Sequence, residues 1–297
     1  MLLRRLTACL FICLLTWLPW VHAEQPPLKV VATFSILGDM VKAIGKERIQ
    51  VHTLVGADSD AHLYQPTPAD TKTLVKADIL FINGLGFEGW LERLIEASGY
   101  QGKVITATAG ITPLSLTDGS QGVDPHAWQN IAYAKTYIHN ITHALQAADP
   151  VGSTVYASNR DAYLQQLTAL EQQLSETLGK LPNDRRTVVT SHDAFAYFAA
   201  AYQLKFLAPQ GISTAAEATA KEVAALIEQI RTEKITAIFL ENMVTPRLLE
   251  QIAAESGATI GGSLYADALS PADGVAATYL TMMQHNIQVL HQALAVD

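Results

Sequence analysis

Short runs of apolar, mostly β-branched residues alternate along this chain with segments whose apolar positions recur every three or four residues. In the first half the strand-like runs lie at 28–34, 49–55, 79–82 and 103–107. In the second half they lie at 187–190, 205–208, 236–240 and 258–264. Helices are predicted between them, among others at 37–44, 87–97, 194–201, 220–232, 245–256 and 274–294. Strands that alternate with helices predict parallel sheets with helices on both faces.

One helical pattern is much longer than the others. Between residues 153 and 181, leucines recur at steps of three and four, which predicts a single helix about 40 Å long. Pro182 follows the last leucine and stops the helix. We therefore predict an α/β fold of two parallel-sheet lobes joined by one long backbone helix. The N-terminal lobe covers 24–150, the connecting helix 151–182 and the C-terminal lobe 183–297.

The first 23 residues have the layout of a secretory signal peptide. Arg4 and Arg5 precede an apolar stretch over 6–20, and small residues allow cleavage after Ala23. The stretch is shorter than the roughly 20 residues that span a bilayer. The segment Leu6-Thr7-Ala8-Cys9 looks like a lipidation box, but it directly follows the arginines with no apolar segment before it, so we expect no lipid anchor. We therefore expect a soluble periplasmic protein.

Charge and cysteine content narrow the classes of function. The chain carries a formal net charge of −8, which becomes −10 once the two arginines of the signal peptide are removed. Such an acidic protein is a poor binder of nucleic acid, so we expect no nucleic-acid partner. Both cysteines, Cys9 and Cys13, lie in the predicted signal peptide. The remaining chain can therefore form neither a disulfide nor a thiolate metal site.

Four residues with metal-binding side chains follow predicted strands or lie in nearby loops. His62 and His126 belong to the first half, and His192 and Asp267 to the second. Ligands of open α/β sheets bind beyond the carboxyl ends of the strands, so these side chains can converge on a cleft between the lobes. Three imidazoles and one carboxylate form a plausible tetrahedral set for zinc.

Several segments carry a family resemblance. His62 opens a segment over 62–70 that resembles the H-x-Y-x-P-T-P-x-D motif of the zinc- and manganese-binding solute-binding proteins of ABC-type metal importers. Similar family segments lie at 124–130, 190–198, 210–218 and 238–241. The resemblance covers essentially the whole chain after the signal peptide. It implies two α/β lobes, a backbone helix, and a buried metal that is delivered to a membrane permease. It also implies the ligands His62, His126, His192 and Asp267.

The identity of the metal depends mainly on position 192. Relatives that resemble manganese or iron carriers usually have a glutamate where His192 stands, so zinc is favoured and manganese or iron is the alternative. The segment 110–123 contains no histidine, unlike the corresponding loop of many zinc-dedicated relatives. A divalent ion with one carboxylate ligand leaves about one positive charge buried, which is costly. We therefore expect a further carboxylate beside a ligand, first Glu241 and second Asp193.

Two other classes of function are alternatives. A zinc-dependent hydrolase needs an open coordination position and a general base, but neither an H-E-x-x-H nor a G-x-S-x-G motif occurs in the sequence. A surface adhesion protein with a purely structural metal is the second alternative. His139 and His143 lie four residues apart on a predicted helix and indicate a solvated face. We expect a monomer that captures a metal ion and catalyses no reaction.

Overall fold

The computed structural model describes residues 26–116 and 122–295, and within them two four-stranded parallel sheets form the two lobes. The first sheet contains β1 (Leu28–Phe34), β2 (Ile49–Val55), β3 (Ile79–Ile82) and β4 (Lys103–Thr106). The second contains β5 (Thr187–Val189), β6 (Lys205–Leu207), β7 (Ala237–Glu241) and β8 (Thr259–Leu264). Their orders, β2-β1-β3-β4 and β6-β5-β7-β8, are equivalent. The predicted fold class is confirmed.

Helices connect and cover the strands. The helices of the first lobe are α1 (Ser35–Gly45), α2 (Pro68–Leu74), α3 (Leu91–Ser98) and α4 (Ile131–Ala148). The long α5 (Ser153–Gly179) is followed by α6 (Ala196–Tyr202), α7 (Ala220–Glu233), α8 (Arg247–Ser256) and α9 (Tyr279–Leu294). Thr67, before α2, forms a capping box with Asp70, as a threonine, a proline and an acid at this spacing favour. None of the described helices is long and apolar enough to cross a membrane.

The long helix α5 joins the two lobes. Its 27 residues correspond to about 40 Å. One face of the helix is buried and consists of the side chains of Tyr156, Tyr163, Leu167, Leu170, Leu174 and Leu178. This face packs against α1 and α4 on one side and against α6 and α9 on the other. Because the leucine stripe is buried in both lobes, α5 acts as a structural support and not as a flexible linker.

The last helix contacts both lobes and begins later than the sequence pattern predicts. α9 starts at Tyr279 and not at Gly274, because Thr278 caps it through a capping box. The Tyr279 backbone N–H donates to Asp39 Oδ2 of α1 at 2.8 Å. The Tyr279 hydroxyl donates to the Trp128 carbonyl oxygen at 2.6 Å. These bonds tie the C-terminal helix to the first lobe.

The helix α3 also begins later than predicted, at Leu91 and not at Phe87. Positive φ angles of 82°, 56° and 81° at Gly84, Leu85 and Gly86 turn the chain sharply after β3. A Cβ atom at Gly84 would lie 2.6 Å from the Thr106 side chain, so glycine is required there for space as well as for conformation. The turn directs Phe87 into the interior between the lobes.

Candidate metal centre

Loops beyond the carboxyl ends of the strands bring the four candidate side chains together. His62 follows β2, His126 lies in the loop after β4, His192 follows β5 and Asp267 follows β8. One donor atom from each lies within 4.8 Å of every other, and no other such group of three or more is found among the described residues. His126, His192 and Asp267 are fully buried, and the His62 side chain is 5% exposed.

The Nε2 atoms of all three imidazoles face the Asp267 carboxylate. Those of His62 and His192 lie 3.2 Å from Asp267 Oδ2, and that of His126 lies 3.6 Å from Oδ1. The Nε2 atoms of His62 and His126 are 3.3 Å apart. Asp267 Oδ1 is buried and has no hydrogen-bond partner in the described part of the chain. Three nitrogens and a carboxylate thus surround one small space, as a tetrahedral cation site requires.

Glu241, at the end of β7, fixes the orientation of His192. Its Oε2 lies 2.6 Å from His192 Nδ1. Its Oε1 accepts the backbone N–H groups of Ser191 and His192 at 2.8 and 3.0 Å. When His192 Nδ1 carries a proton and donates it to Glu241, Nε2 is left to act as a ligand. The sequence-based choice of Glu241 thus coincides with a direct contact to His192. The Asp193 backbone N–H donates to the Gly211 carbonyl oxygen.

Asp124 fixes His126 in the same way, and sequence reasoning assigned it no role. Its Oδ1 lies 2.8 Å from His126 Nδ1 and also accepts the His126 backbone N–H at 2.8 Å. The signal was available in the D-P-H segment, which places a carboxylate two residues before the histidine. Each lobe therefore supplies one histidine whose ring is held by a buried carboxylate.

The buried carboxylates change the proton affinity of the site. Burial alone would lower the pKa of His126, but the charges of Asp267 and Asp124 outweigh it and raise that pKa to about 9. Burial would also lower the pKa of His192. The charges of Glu241 and Asp267 outweigh this effect and hold the pKa well above its ordinary value. Burial would raise the pKa of Asp267, but the imidazolium charges hold it well below the usual range. Before a cation binds, these shifts favour protonated imidazoles at His126 and His192 beside the buried carboxylates.

Aromatic side chains close the site on the side of the first lobe. Phe34, Phe87 and Trp128 pack with ring centroids 4.9 Å apart in each pair. The Phe87 ring meets His62 at 4.9 Å, and the Trp128 ring meets His126 at 5.2 Å. Trp128 Nε1 donates to the Ala266 carbonyl oxygen, beside Asp267, at 2.9 Å. The three rings are buried, and the Trp128 bond holds the Asp267 loop against the first lobe.

Tyr64, two residues after His62, contacts Trp90 and the start of α2. Its ring packs on Trp90 at 5.0 Å. Its hydroxyl donates to Asp70 Oδ2 at 2.8 Å. Tyr64 therefore supports the capped start of α2 and, through it, the segment that carries His62.

The loop that carries His62 is also bonded to the second lobe. Asp60 Oδ1 accepts the His62 backbone N–H at 2.8 Å, while Asp60 Oδ2 accepts the Thr214 hydroxyl at 2.6 Å. Asn242 Nδ2 donates to Asp58 Oδ1 at 2.8 Å. Sequence reasoning missed these contacts. These bonds join the two lobes beside His62, the least buried of the four candidate donors, so they can control access to the site.

The other histidines that the structure describes lie outside the site. His139 and His143 are exposed on α4, in agreement with the predicted solvated face. His285 Nε2 lies 3.0 Å from the Ser263 carbonyl oxygen on the surface. Neither the α4 pair nor His285 belongs to a cluster of donors in the described part of the chain.

Two α/β lobes, a rigid connecting helix and a buried set of donors in the cleft define a metal-binding protein of the solute-binding class. The family model of ZnuA, the periplasmic component A of the zinc-uptake complex, matches residues 30–293. The chain therefore belongs to this family and is a periplasmic metal-binding component of ABC-type metal importers. The family resemblance found in the sequence is confirmed.

Individual relatives carry different metals. The chain is 33% identical over 268 residues to the manganese-binding lipoprotein MntA of Halalkalibacterium halodurans, covering 90% of this chain and 89% of the relative. It is 33% identical to the iron-binding protein YfeA of Yersinia pestis, covering 88% and 85%. The periplasmic zinc-binding protein TroA of Treponema pallidum superposes with a TM-score of 0.86 at 30% identity, covering 90% and 99%. The family is shared, whereas the metal differs among its members.

The comparisons also bear on the anchor and on the alternative functions. The expectation of no lipid anchor is opposed by the relatives, because the one from Halalkalibacterium halodurans and others are named lipoproteins. Cys9 and the predicted signal peptide lie outside the described residues.

The family consists of transporter substrate-binding proteins and not of enzymes. Neither the hydrolase nor the adhesion alternative gains support from it.

Proposed function

We propose that the protein binds one divalent transition-metal ion through His62, His126, His192 and Asp267 and delivers it to the permease of its importer. Zinc is the favoured cargo, and manganese or iron is the alternative. The convergence of three Nε2 atoms on the Asp267 carboxylate in a buried cleft is the observation that carries the proposal. No reaction is required of the site, because four protein donors leave no open position for a catalytic water.

The composition of the donor set supports zinc. Imidazole nitrogens suit zinc, whereas manganese favours shells rich in carboxylate and water oxygens. Here Asp267 is the single carboxylate among the four donors, and His192 supplies the third nitrogen. Zinc also binds more tightly than manganese at most nitrogen sites, so a manganese carrier of this composition would have to exclude zinc by other means.

The charges around the site support reversible capture. A divalent ion that displaces one proton each from His126 and His192 leaves the buried net charge unchanged. The metal-free site therefore carries the same net charge as the metal-loaded site and need not unfold. A purely structural metal would behave differently, because its removal normally unfolds the domain.

A competitive titration with zinc and manganese tests the metal and the ligand set together. We expect the metal-stripped protein to bind one ion per chain and to hold zinc far more tightly than manganese. The variant His192→Glu should narrow the preference for zinc at least tenfold, because a carboxylate replaces a nitrogen donor. The variant His139→Glu makes the same substitution on the exposed face of α4 and serves as the control. If neither metal binds, or if both variants retain the wild-type preference, the proposal fails.

Neutralising Glu241 should weaken zinc binding without removing a ligand. We expect Glu241→Gln to raise the dissociation constant for zinc by about 10- to 100-fold, because the His192 ring loses the charged acceptor that orients Nε2. Isothermal titration with a competing chelator measures the change. Glu88→Gln is the matched control, since Glu88 is a buried acid that accepts backbone N–H groups of the first lobe without touching a histidine. Equal losses in both variants would show that Glu241 has no specific role.

Removing the Thr214 hydroxyl should speed the release of the metal. We expect Thr214→Val to increase the dissociation rate about two- to tenfold, the range that corresponds to loss of one hydrogen bond. The cause is a looser Asp60 loop, which carries His62. Stopped-flow transfer of zinc to a chelator measures the rate. Ser213→Ala alters the neighbouring residue, whose hydroxyl caps its own loop, and should leave the rate unchanged. An unchanged rate in Thr214→Val would exclude this contact as a barrier to release.

A further inference from the structure

The edge of the first sheet presents a second set of polar side chains. In the parallel pairing of β1 and β2, Lys29 is aligned with Gln50, and Val31 with His52. Because side chains alternate between the two faces of a strand, these four residues share one face. Val31 is buried, whereas the other three are exposed around it. Val31 therefore forms an apolar base with polar groups at its rim.

The helix α2 encloses this face from the other side. Lys72 and Thr73 of α2 line it, together with Lys76, which lies two residues after the end of the helix. Together the strands and the helix line a cavity of about 320 Å³. Three lysines and one histidine belong to its lining, and none of the described residues that line it is acidic. This is an unusual concentration of positive charge for a chain of net charge −8.

The three lysines are not engaged elsewhere. None of Lys29, Lys72 and Lys76 forms an ion pair with any residue that the structure describes. Asp78 and Asp70, two residues from Lys76 and Lys72 in the sequence, are committed to structural bonds. Asp78 accepts the Lys29 backbone N–H at 2.8 Å, and Asp70 accepts the Thr67 backbone N–H at 2.6 Å. The like charges repel one another across the cavity, so an anion would be attracted to it.

We propose that this cavity binds the phosphate group of a small anion. A phosphate offers several acceptor oxygens and up to two charges, which suit the ammonium donors of the three lysines. Gln50, His52 and Thr73 add further hydrogen-bond donors, and the apolar base leaves room for a short organic part. The phosphate comes either from a free phosphate compound or from the headgroup of a phospholipid. Both sources present the same chemistry to the cavity.

The phosphate site is separate from the metal centre. Lys29 lies five residues before Phe34, whose ring packs at the metal centre, and these five residues extend about 16 Å along β1. Zinc affinity is therefore an independent check that any variant of the cavity is folded. The proposal also stands or falls independently of the identity of the metal.

An NMR titration of the full protein with inorganic phosphate, at constant ionic strength, tests the site. We expect saturable shifts confined to the amides of β1, β2 and α2 around the cavity. The double variant Lys72→Gln/Lys76→Gln should weaken binding at least tenfold and leave zinc affinity unchanged. The control Lys180→Gln/Lys221→Gln removes two exposed lysines elsewhere and should bind phosphate like the wild type.

Sedimentation with phospholipid vesicles distinguishes the two sources. Binding to phosphatidylglycerol vesicles but not to phosphatidylcholine vesicles, lost in Lys72→Gln/Lys76→Gln alone, would assign the cavity to a lipid headgroup. Saturable binding of phosphate without vesicle binding would assign it to a free phosphate compound. The proposal is overturned if neither probe binds, or if both double variants lose binding equally, because the effect is then one of net charge only.

Discussion

Asp267→Asn should weaken zinc binding by more than about 100-fold. This loss exceeds the one normally caused by mutating a residue that only hydrogen-bonds to a metal ligand. Asp267 is the single anion among the four proposed donors and the common neighbour of all three Nε2 atoms. The substitution keeps the shape of the side chain but removes the charge that a buried cation requires. Competition with a chelator of known affinity measures the change. Asp273→Asn, an exposed acid of the same connection, should bind zinc normally.

The same variant offers a readout that does not depend on metal. The Asp267 charge contributes to the raised pKa of His126, so Asp267→Asn should lower that pKa from about 9 in the metal-free protein. NMR titration of the histidine rings measures it. A loss of zinc affinity below tenfold together with an unchanged His126 pKa would contradict the assigned role of Asp267. A loss of affinity caused by unfolding would be recognised by circular dichroism.

Zinc affinity should fall steeply as the pH is lowered, and the fall should start at a pH well above the ordinary pKa of histidine. Ligand imidazoles bind only when neutral, and the pKa of His126 is about 9, with that of His192 also raised. Lowering the pH therefore favours the protonated, metal-free site. We expect the dissociation constant to rise about 10- to 100-fold per pH unit below pH 8, one factor of ten for each proton displaced. If the histidines had the unperturbed pKa of about 6.5, the loss of zinc affinity would begin only at a lower pH.

Proton release measures this coupling directly. Calorimetric titrations of zinc at pH 7.5 in buffers of different ionisation enthalpy should report about two protons released per ion. Manganese should release the same number if it uses the same ligands. Zinc affinity that stays flat between pH 8 and pH 6, with no proton released, would exclude protonated His126 and His192 in the metal-free site.

Much of the fold follows from local sequence patterns. The β-branched runs of β1, β2 and β3 match the observed strands at both ends, because each run is bounded by polar or turn-forming residues. The leucine stripe defines α5 to within two residues of its end at Gly179. The late starts of α3 and α9 were not predicted, because a tight turn and a threonine cap override a continuing apolar pattern there.

The candidate donors could be found in the sequence, but part of the structure that supports them could not. His62, His126, His192 and Asp267 stand in recognisable segments or beyond strand ends, and the structure brings them together as expected. The contact between Asp60 and Thr214 joins residues 154 positions apart. Such a contact depends on how the lobes pack against each other, which no local pattern records. For this reason the bonds across the cleft had to be found in the structure.

X-ray absorption spectroscopy of the zinc-loaded protein tests the ligand set most directly. We expect four nitrogen or oxygen neighbours at about 2.0 to 2.2 Å, with the outer-shell scattering of three imidazoles. The variant His192→Ala, if it still retains zinc, should reduce the imidazole count to two, and His139→Ala should leave it at three. A shell with fewer than three imidazoles in the wild type, or one unchanged by His192→Ala, would contradict the proposed site.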